Sequence, residues 1–301
     1  MNINLSLVNK VKRKYRHPGA YLMILPSYLI YVIFVFVPVM STIYLSFTNY
    51  DLYKTRNFVA LHNYIRMVID PVFLTAAKNT VVYSLFVIIP QLVIGLILAV
   101  VLNRKIIGQK FHRVAFYLPN VTSMVSISMV WLWLYDPTLG LLNQMLKAVG
   151  LPAQRWLFDL NLALPSIIIM SIWKLIGYNM IIYLAGLLQI PEQLYEAATV
   201  DGASAIKQFF TITIPMLKPT TFFLFVVACV QSFGVFDQVN IMTQGGPMNA
   251  TTTIVHQIYE RAFSEFQMGY ASAMAVLLLV ITITLTFVNF RYGNQGSDLE
   301  V

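Results

Sequence analysis

Charged residues are scarce in this sequence, and their scarcity excludes a soluble globular protein. Asp, Glu, Lys and Arg make up 11% of the 301 residues, whereas hydrophobic residues make up 58%. A soluble domain is roughly a quarter charged, so too few charges are present here to cover a water-exposed surface. The composition therefore predicts an integral membrane protein.

The charges that are present do not indicate a nucleic-acid partner. The formal net charge is +8, but a nucleic-acid-binding protein displays its cations on a face beside a soluble core. Here Lys and Arg stand at the ends of apolar runs. They therefore report how the chain is oriented in the membrane.

Several chemical groups that would indicate an enzyme are also missing. The single cysteine, Cys229, allows no internal disulfide. The four histidines have no metal-ligand spacing, and no Ser-His-Asp or paired-carboxylate constellation indicates an intramembrane enzyme. The chain also lacks a G-x-x-x-x-G-K-[ST] phosphate loop. We therefore expect no cofactor in this chain and assign any ATP-Mg binding to partner subunits.

Six apolar stretches are long enough to cross a bilayer as helices, which takes about 20 residues. They lie near 21–46, 79–102, 114–135, 162–188, 219–240 and 269–290. The first is too long for the h-region of a signal peptide, so it is expected to remain as a span. The fold class predicted is all-α, a polytopic transmembrane helical bundle over residues 21–290, with tails at 1–20 and 291–301.

Lys and Arg in the short connections predict the orientation. Cations cluster in the N-terminal tail and in the connection 103–113, at Lys10, Lys12, Arg13, Lys14, Arg16, Arg104, Lys105, Lys110 and Arg113. Both segments are expected in the cytoplasm, and six spans then place both termini and the connection 189–218 there. The first outer loop, 47–78, weakens the contrast because it contains Lys54, Arg56, Arg66 and Lys78, although it is longer and also acidic.

Prolines fall within several predicted spans, at Pro26, Pro38, Pro90, Pro119 and Pro165. The carbonyl groups that they free need neighbouring helices or a wet cavity in lipid. This favours a bundle with a pathway, and harmless kinks remain the alternative for each proline.

The fourth-to-fifth connection contains the segment QIPEQLYEAATVDGASAIKQFFTITIPMLKP. Pro191 suits the first turn of a helix, and Asp201-Gly202 supplies a turn. A second helix is expected from about Ala203 until Pro215 and Pro219 stop it. Residues 190–215 therefore predict a helix-turn-helix at the cytoplasmic surface, which either docks another protein or merely covers the bundle.

The spacing within this segment is EAA, three residues, G, nine residues, I, one residue, a hydrophobic residue and P. The residues concerned are Glu196, Ala197, Ala198, Asp201, Gly202, Ala203, Ile212 and Pro215. This pattern resembles the EAA loop of type I permeases in binding-protein-dependent ATP-binding-cassette importers. Ile214 departs from it, since Leu is usual there.

The resemblance extends along the chain and is most specific to carbohydrate importers of the maltose and glycerol-phosphate type, first-permease branch. Supporting segments are FVALHNY at 58–64, FYLPN at 116–120, GLLNQMLKAVG at 140–150, TQGGPMNATTT at 243–253 and GYASAMA at 269–275. It implies a bacterial inner-membrane permease with a second permease, two ATPase subunits and an extracytoplasmic solute-binding protein as partners. It also implies that Glu196 contacts a basic or hydrogen-bonding group on the ATPase.

Ten residues of the third to fifth spans, most of them polar or aromatic, are candidates for a sugar pathway. They are Asn120, Ser123, Met124, Ser171, Trp173, Lys174, Leu175, Tyr178, Gln231 and Ser232. The resemblance places the solute pocket after Leu118-Pro119, around Trp173 and around Gln231. An ionised Lys174 at mid-membrane costs at least ~2.5 kcal/mol, so it should face the bundle interior. It either contacts solute or is structural, paired with a carbonyl or snorkelling.

Two functions from other classes compete with the permease. A self-sufficient channel or secondary transporter needs its own ion-coupling acids, and no Asp or Glu lies well inside a predicted span. Asp237, at the outer end of the fifth span, is either a loop anchor or a gate. An enzyme would need a catalytic cluster, which the sequence does not contain.

Overall fold

The computed structural model describes residues 18–53, 56–104 and 106–293. Most of both predicted tails therefore lies outside the described residues, as do Lys54, Lys105 and the five cations of the N-terminal tail. Within the described ranges the chain is almost entirely helical. Its β pairing there is a single bridge between Thr48 and Phe58.

The helices are numbered in chain order. The first are α1 (Pro18–Tyr31), α2 (Val37–Ser46), α3 (His62–Ile69), α4 (Pro71–Asn103), α5 (Gln109–Val121), α6 (Met124–Leu134), α7 (Leu141–Ala148) and α8 (Ala163–Leu187). They are followed by α9 (Glu192–Val200), α10 (Ala205–Gln208), α11 (Ile214–Met216), α12 (Lys218–Phe233), α13 (Asp237–Met242), α14 (Ile254–Tyr259) and α15 (Met268–Gly293). One π-helical turn joins α1 to α2 (Val32–Phe36), a second joins α10 to α11 (Phe209–Thr213), and a third follows α14 (Glu260–Ser264). A short 3-10 helix, Trp156–Phe158, precedes α8.

The membrane-length helices match the predicted number of spans when bent pairs are counted as one. Among the described residues, four helices are long and apolar enough alone, namely Tyr21–Ser46, Pro71–Asn103, Ala163–Leu187 and Met268–Arg291. Two pairs qualify together, Gln109–Val121 with Met124–Leu134 and Ala205–Met216 with Lys218–Phe233. The pairs are bent by 101° and 64° respectively. The all-α transmembrane bundle is therefore confirmed.

Three predicted span boundaries are wrong. The second span begins at Pro71, not near 79, because Asp70 caps the helix by accepting a hydrogen bond from the Val72 backbone N–H at 2.9 Å. The third span is not one helix over 114–135, since the chain bends sharply between α5 and α6. The fifth span ends at Phe233 instead of 240. Just after this end, the Val235 carbonyl accepts a hydrogen bond from the Thr253 hydroxyl at 3.0 Å.

The prolines break the helices less than the sequence indicates. Pro90 lies inside α4, which continues on both sides of it, and Pro26 lies inside α1. Pro165 falls in the first turn of α8, where no backbone donor is needed. Pro119 lies near the end of α5, just before the sharp bend.

Helix α8 lies at the centre of the bundle and packs against α4 along their length. Gly95 of α4 allows this approach, because a Cβ atom there would be 2.7 Å from Cβ of Asn179. One apolar cluster joins α4, α8 and α12, a second joins α6, α8 and α13, and a third joins α3, α4, α14 and α15. In contrast, the membrane-length part of the first span, Tyr21–Ser46, is exposed over its most apolar stretch.

Candidate functional site

The predicted helix-turn-helix projects from one end of the bundle as α9 and α10. Helix α9 follows Pro191 and ends at a left-handed glycine, Gly202, with φ of +75°. The Gly202 N–H donates to the Thr199 carbonyl at 3.0 Å, and the Ala203 N–H donates to the Ala198 carbonyl at 2.8 Å. This pair of bonds is a Schellman motif, which a glycine in this conformation permits. The predicted turn is therefore present.

The second helix begins two residues later than predicted. Ala203 completes the turn, and the Ser204 side chain then caps α10 by accepting a hydrogen bond from the Lys207 N–H at 3.4 Å. Of the two prolines predicted to stop this helix, Pro215 does not end it. The π-helical turn before Pro215 leads into α11, whose first turn holds this proline. The bend follows at Leu217, and Pro219 lies in the first turn of the next helix, α12.

Side-chain hydrogen bonds hold the two arms of the hairpin together. The Tyr195 hydroxyl lies 2.9 Å from the Thr213 hydroxyl, and the Gln208 amide donates to the Thr199 hydroxyl at 3.0 Å. Gln208 also donates to the Ala203 carbonyl at 3.1 Å. The turn and both arms therefore form one rigid unit.

Large apolar side chains of this unit are exposed. Val200 is 88% exposed, Ile206 73% and Phe210 62%, and Ile206 and Phe210 line a cleft beside the hairpin. Exposed apolar side chains of this size favour a contact with another molecule. Of the motif residues, Glu196, Ala197, Asp201 and Gly202 are exposed, whereas Ala198, Ala203, Ile212 and Pro215 are half-buried.

Apolar side chains at the start of α9 differ in burial. Ile190, just before the helix, is buried in the cluster of α4, α8 and α12, while Leu194 is 42% exposed. A cleft of about 1,020 Å³ separates the hairpin from the ends of α4 and α8. Tyr195 and Ile212 of the hairpin pack against the cluster of α4, α8 and α12, so the hairpin contacts the bundle and also borders this cleft.

Lys174 of α8 holds the sharp bend between α5 and α6. It is 6% exposed, and its ammonium nitrogen donates to the carbonyl oxygens of Pro119, Asn120 and Thr122 at 3.0, 3.1 and 2.7 Å. An ammonium group has three N–H donors, so all of them are used here. The carbonyls that the bend leaves without helical partners are thereby satisfied.

Close packing fixes the same bend from another direction. Gly177, one turn after Lys174, faces α5 so closely that a Cβ atom there would overlap the carbonyl oxygen of Phe116. The bend, α5 and α8 thus form one packed unit. The sequence contains the glycine and the lysine, but it does not show that both face the same helix.

The other predicted pathway residues occupy different environments. Asn120 and Met124 flank the bend and are half-buried, as are Leu175 and Tyr178, while Ser123 and Gln231 are exposed. Trp173 is 42% exposed and its ring centroid is 5.5 Å from that of Trp131. Ser171 and Ser232 are buried and donate to the carbonyls of Ile167 and Cys229. The structure therefore joins Lys174 to Asn120, and it buries both serines.

A buried polar network near the bend was missed by sequence reasoning. The Gln238 amide of α13 donates to the Tyr83 hydroxyl of α4 at 2.8 Å and to the Ser171 hydroxyl of α8 at 3.4 Å. These three residues are far apart in the chain, so the sequence shows no link between them. It shows only that each is a polar residue in an otherwise apolar helix. Asp237 begins α13 and is exposed beside this network.

A second network lies at the opposite end of α4 from the hairpin. The Asp70 carboxylate accepts hydrogen bonds from the Tyr270 hydroxyl at 2.9 Å and from Arg261 at 3.3 Å. Burial of Asp70 opposes its ionisation, but the hydrogen bonds from Tyr270, Val72 and Phe73 and the charge of Arg261 outweigh it, so the pKa of Asp70 lies below its ordinary value.

Comparison with known proteins gives consistent relatives. Residues 91–292 match the family described as "Binding-protein-dependent transport system inner membrane component". The chain is 38% identical to the probable ABC transporter permease protein YurN of Bacillus subtilis, over 92% of this chain and 97% of that one. It is 35% identical to the sn-glycerol-3-phosphate transport system permease protein UgpA of Agrobacterium fabrum, over 90% and 93%.

A solved structure shares the fold. A chain of the bacterial alginate ABC transporter, crystallised with a periplasmic protein bound to an alginate pentasaccharide, superposes with a TM-score of 0.84 at 23% identity. The match covers 97% of this chain and 99% of that one.

Proposed function

The chain belongs to the family of binding-protein-dependent transport system inner membrane components, and we propose that it forms, with a second permease, the alternating-access pathway of an ATP-driven sugar importer. The observation that carries this proposal is the rigid, exposed α9–α10 hairpin with the EAA pattern at its tip. The same hairpin supports a role for two ATP-binding-cassette subunits, which bind and hydrolyse ATP-Mg themselves.

The hairpin acts as the coupling element. Val200, Ile206 and Phe210 supply apolar contact area for a cleft on the ATPase, and Glu196 supplies a charge for a basic or hydrogen-bonding partner. Because the hairpin is internally bonded, a displacement at its tip moves it as one body. It continues directly from α8 and, through α11, into α12, so the displacement reaches the helices that carry the pathway residues.

The pathway runs beside the bend between α5 and α6. The break frees backbone carbonyls at a depth where solute sites of alternating-access transporters lie, and Lys174 positions this backbone. Asn120, Ser123 and Trp173 line the pathway around the bend, while Tyr178 and Gln231 line it from α8 and α12. Amide, hydroxyl and aromatic groups suit a hydroxyl-rich solute.

The partners follow from the exposed surfaces and from the relatives. The apolar stretch of Tyr21–Ser46 packs little against this chain, which supports contact with lipid and with a second permease. A solute-binding protein outside the membrane delivers the solute, which the words "binding-protein-dependent" in the family description support. One relative is named for sn-glycerol-3-phosphate, which supports a sugar or sugar-like solute here.

The orientation is part of the proposal. Residues 21–290 form the permease domain, and the tails at 1–20 and 291–301 and the coupling loop at 190–215 face the cytoplasm. The cation-rich connection 103–113 supports this side. The loops that contain α3, α7 and α14 then face outward.

Reconstitution with each partner omitted in turn tests this function. Proteoliposomes containing both permeases and both ATPases should take up the solute that copurifies with the cognate binding protein, and only with ATP and the binding protein present. Replacing the phosphate-loop lysine of the ATPases is the matched control and should abolish uptake. Undiminished uptake by liposomes that contain this chain without ATPase would instead establish a channel or secondary transporter.

A further inference from the structure

A polar cleft of about 720 Å³ opens at the end of the bundle opposite the hairpin. It lies between the start of α4 and the segment that comprises α13, α14 and the following π-helical turn. Helix α4 has 33 residues and so spans about 50 Å at 1.5 Å per residue, with Asn103 at the hairpin end. The cleft is therefore separate from both the coupling hairpin and the bend beside Lys174.

A buried histidine without a hydrogen-bond partner on one nitrogen lines this cleft. His256 is 2% exposed, and among the described residues its Nε2 has no hydrogen-bond partner. Its Nδ1 lies 3.1 Å from the Thr252 hydroxyl, and a Cβ atom at Gly245 would lie 2.7 Å from its Cε1. His256 is among the residues that line the cleft, so its unpartnered Nε2 lies buried in the cleft wall. A buried polar atom left without a partner points to a ligand.

The surrounding groups suit a ligand with many hydroxyls. Tyr259 offers a 38% exposed ring that packs on Phe236 and Phe263 with centroid separations of 5.1 and 5.4 Å. Gln257 is nearly buried, and its amide nitrogen is held by the Thr252 hydroxyl at 2.9 Å. A fixed aromatic face beside amide and imidazole groups recognises a sugar ring and its hydroxyls.

The charges at the cleft disfavour an anion. Its lining carries two carboxylates, Glu260 and Glu265, and one guanidinium, Arg261. Arg261 is already bonded to Asp70 and to Glu265. Burial lowers the pKa of His256 and outweighs the negative charge of Glu260, which raises it. The imidazole therefore adds no positive charge near neutral pH. Glu260 is therefore left to set a negative local potential.

We propose that this cleft is a binding site for a neutral, hydroxyl-rich solute of monosaccharide or disaccharide size, held by His256, Gln257, Tyr259 and Glu260. The site rests on the importer function proposed above and deepens it. It receives solute on the outer side before the solute reaches the bend, and it binds neutral sugars more tightly than sugars that carry a carboxylate.

Histidine NMR of the full-length chain in lipid nanodiscs tests the site. The chain has four histidines, so ¹⁵N-histidine labelling gives few signals, and His256→Gln identifies the one of interest. Glucose should produce a saturable shift of the His256 signal alone. Glucuronate differs from glucose by one carboxylate, and its apparent affinity should be at least about tenfold weaker, which corresponds to about 1.4 kcal/mol.

Two matched variants test the charge argument. Glu260→Gln should narrow the preference for glucose over glucuronate, whereas Glu192→Gln on α9, at the other end of the bundle, should leave it unchanged. Equal unfolding temperatures for both variants exclude loss of fold as the cause.

Several results would overturn the site. They are no saturable His256 shift with glucose, equal shifts of all histidines, or tighter binding of glucuronate. Because binding is measured without ATPase, an absent shift with intact ATP-driven uptake removes only the site. A His256 shift without ATP dependence of uptake removes only the importer function.

Discussion

The ammonium nitrogen of Lys174 lies 2.7 Å from the carbonyl oxygen of Thr122, across a bend of 101° between two helices. Lys174 and Thr122 are separated by 52 residues in the chain. The lysine therefore holds a break in one membrane-spanning segment from another segment. This geometry supports a structural role for Lys174 at the edge of the proposed pathway.

Lys174→Met should lower the stability of the purified protein. It removes three hydrogen bonds from a buried charged donor to carbonyls at the bend, and each such bond contributes about 1.5–3 kcal/mol. A clear fall in the thermal unfolding temperature in detergent and a lower yield of assembled complex are expected. Lys147→Met on exposed α7 is the control and should change stability by less than about 0.5 kcal/mol.

The same variant separates the two roles of Lys174. If the lysine binds solute directly, transport falls while assembly, unfolding temperature and basal ATPase activity stay at the wild-type level. Wild-type values for both transport and assembly would show that Lys174 has neither role.

Gly202→Val should uncouple ATP hydrolysis from the binding protein. Gly202 has φ of +75°, a conformation that costs an L-residue roughly 1–2 kcal/mol and a β-branched residue more. The Schellman turn should open and displace Glu196 from the ATPase. Stimulation of ATPase activity by loaded binding protein in the reconstituted complex should be lost.

Gly150 provides a matched control for this change. It has φ of +79°, and a Cβ atom meets nothing within 4 Å at either glycine. Gly150→Val should therefore carry the same backbone strain and retain stimulation. Glu196→Lys reverses the exposed charge without touching the turn and should also reduce stimulation. Full stimulation in both hairpin variants would show that this loop does not transmit the signal.

Cysteine labelling should place the hairpin and the α6–α7 loop on opposite sides of the membrane. Val200 is 88% exposed on α9, and Leu139 is 70% exposed before α7. In a Cys229→Ala background, an impermeant maleimide added to intact cells should label Leu139→Cys and not Val200→Cys. Permeabilised cells should label both. The reverse pattern in intact cells would contradict the proposed orientation.

Gly177→Ala should separate α5 from α8. The added methyl group would overlap the Phe116 carbonyl, and overpacking of a core typically costs about 1–3 kcal/mol. A lower unfolding temperature is the expected result. Gly234→Ala is the control, because its Cβ would lie 3.5 Å from the nearest atom at an ordinary φ of −87°. Equal stability of the two variants would mean that this contact does not hold the bend.

Asp70→Asn should destabilise the protein near neutral pH and have less effect in acid. The folded pKa of Asp70 is lower than the ordinary 3.8, so its ionised form stabilises the fold above that pH. This contribution is lost as the pH falls through the folded pKa. The unfolding-temperature difference between wild type and Asp70→Asn should therefore be largest near neutral pH and shrink below about pH 3.8. A difference that does not vary with pH would contradict this assignment.

Local chemistry along the chain was sufficient to predict the spans and the hairpin. Hydrophobic length alone located Tyr21–Ser46 and Ala163–Leu187 to within a residue or so. Gly202 predicted the turn because glycine adopts the left-handed conformation at little cost. The spacing from Glu196 to Pro215 identified the family, since a short continuous motif is visible without any tertiary contact.

Only the tertiary structure decided where the bends, networks and clefts lie. Lys174 and Pro119 are 55 residues apart, and Asp70 and Tyr270 are 200 apart. Such pairs depend on which helix faces meet, and an apolar helix presents similar hydropathy on every side. The sequence by itself therefore determined the membrane fold and the coupling hairpin, because these depend on residues close in the chain. The bend beside Lys174 and the cleft beside His256 were decided by packing between distant segments, which leaves no periodic signal in the sequence.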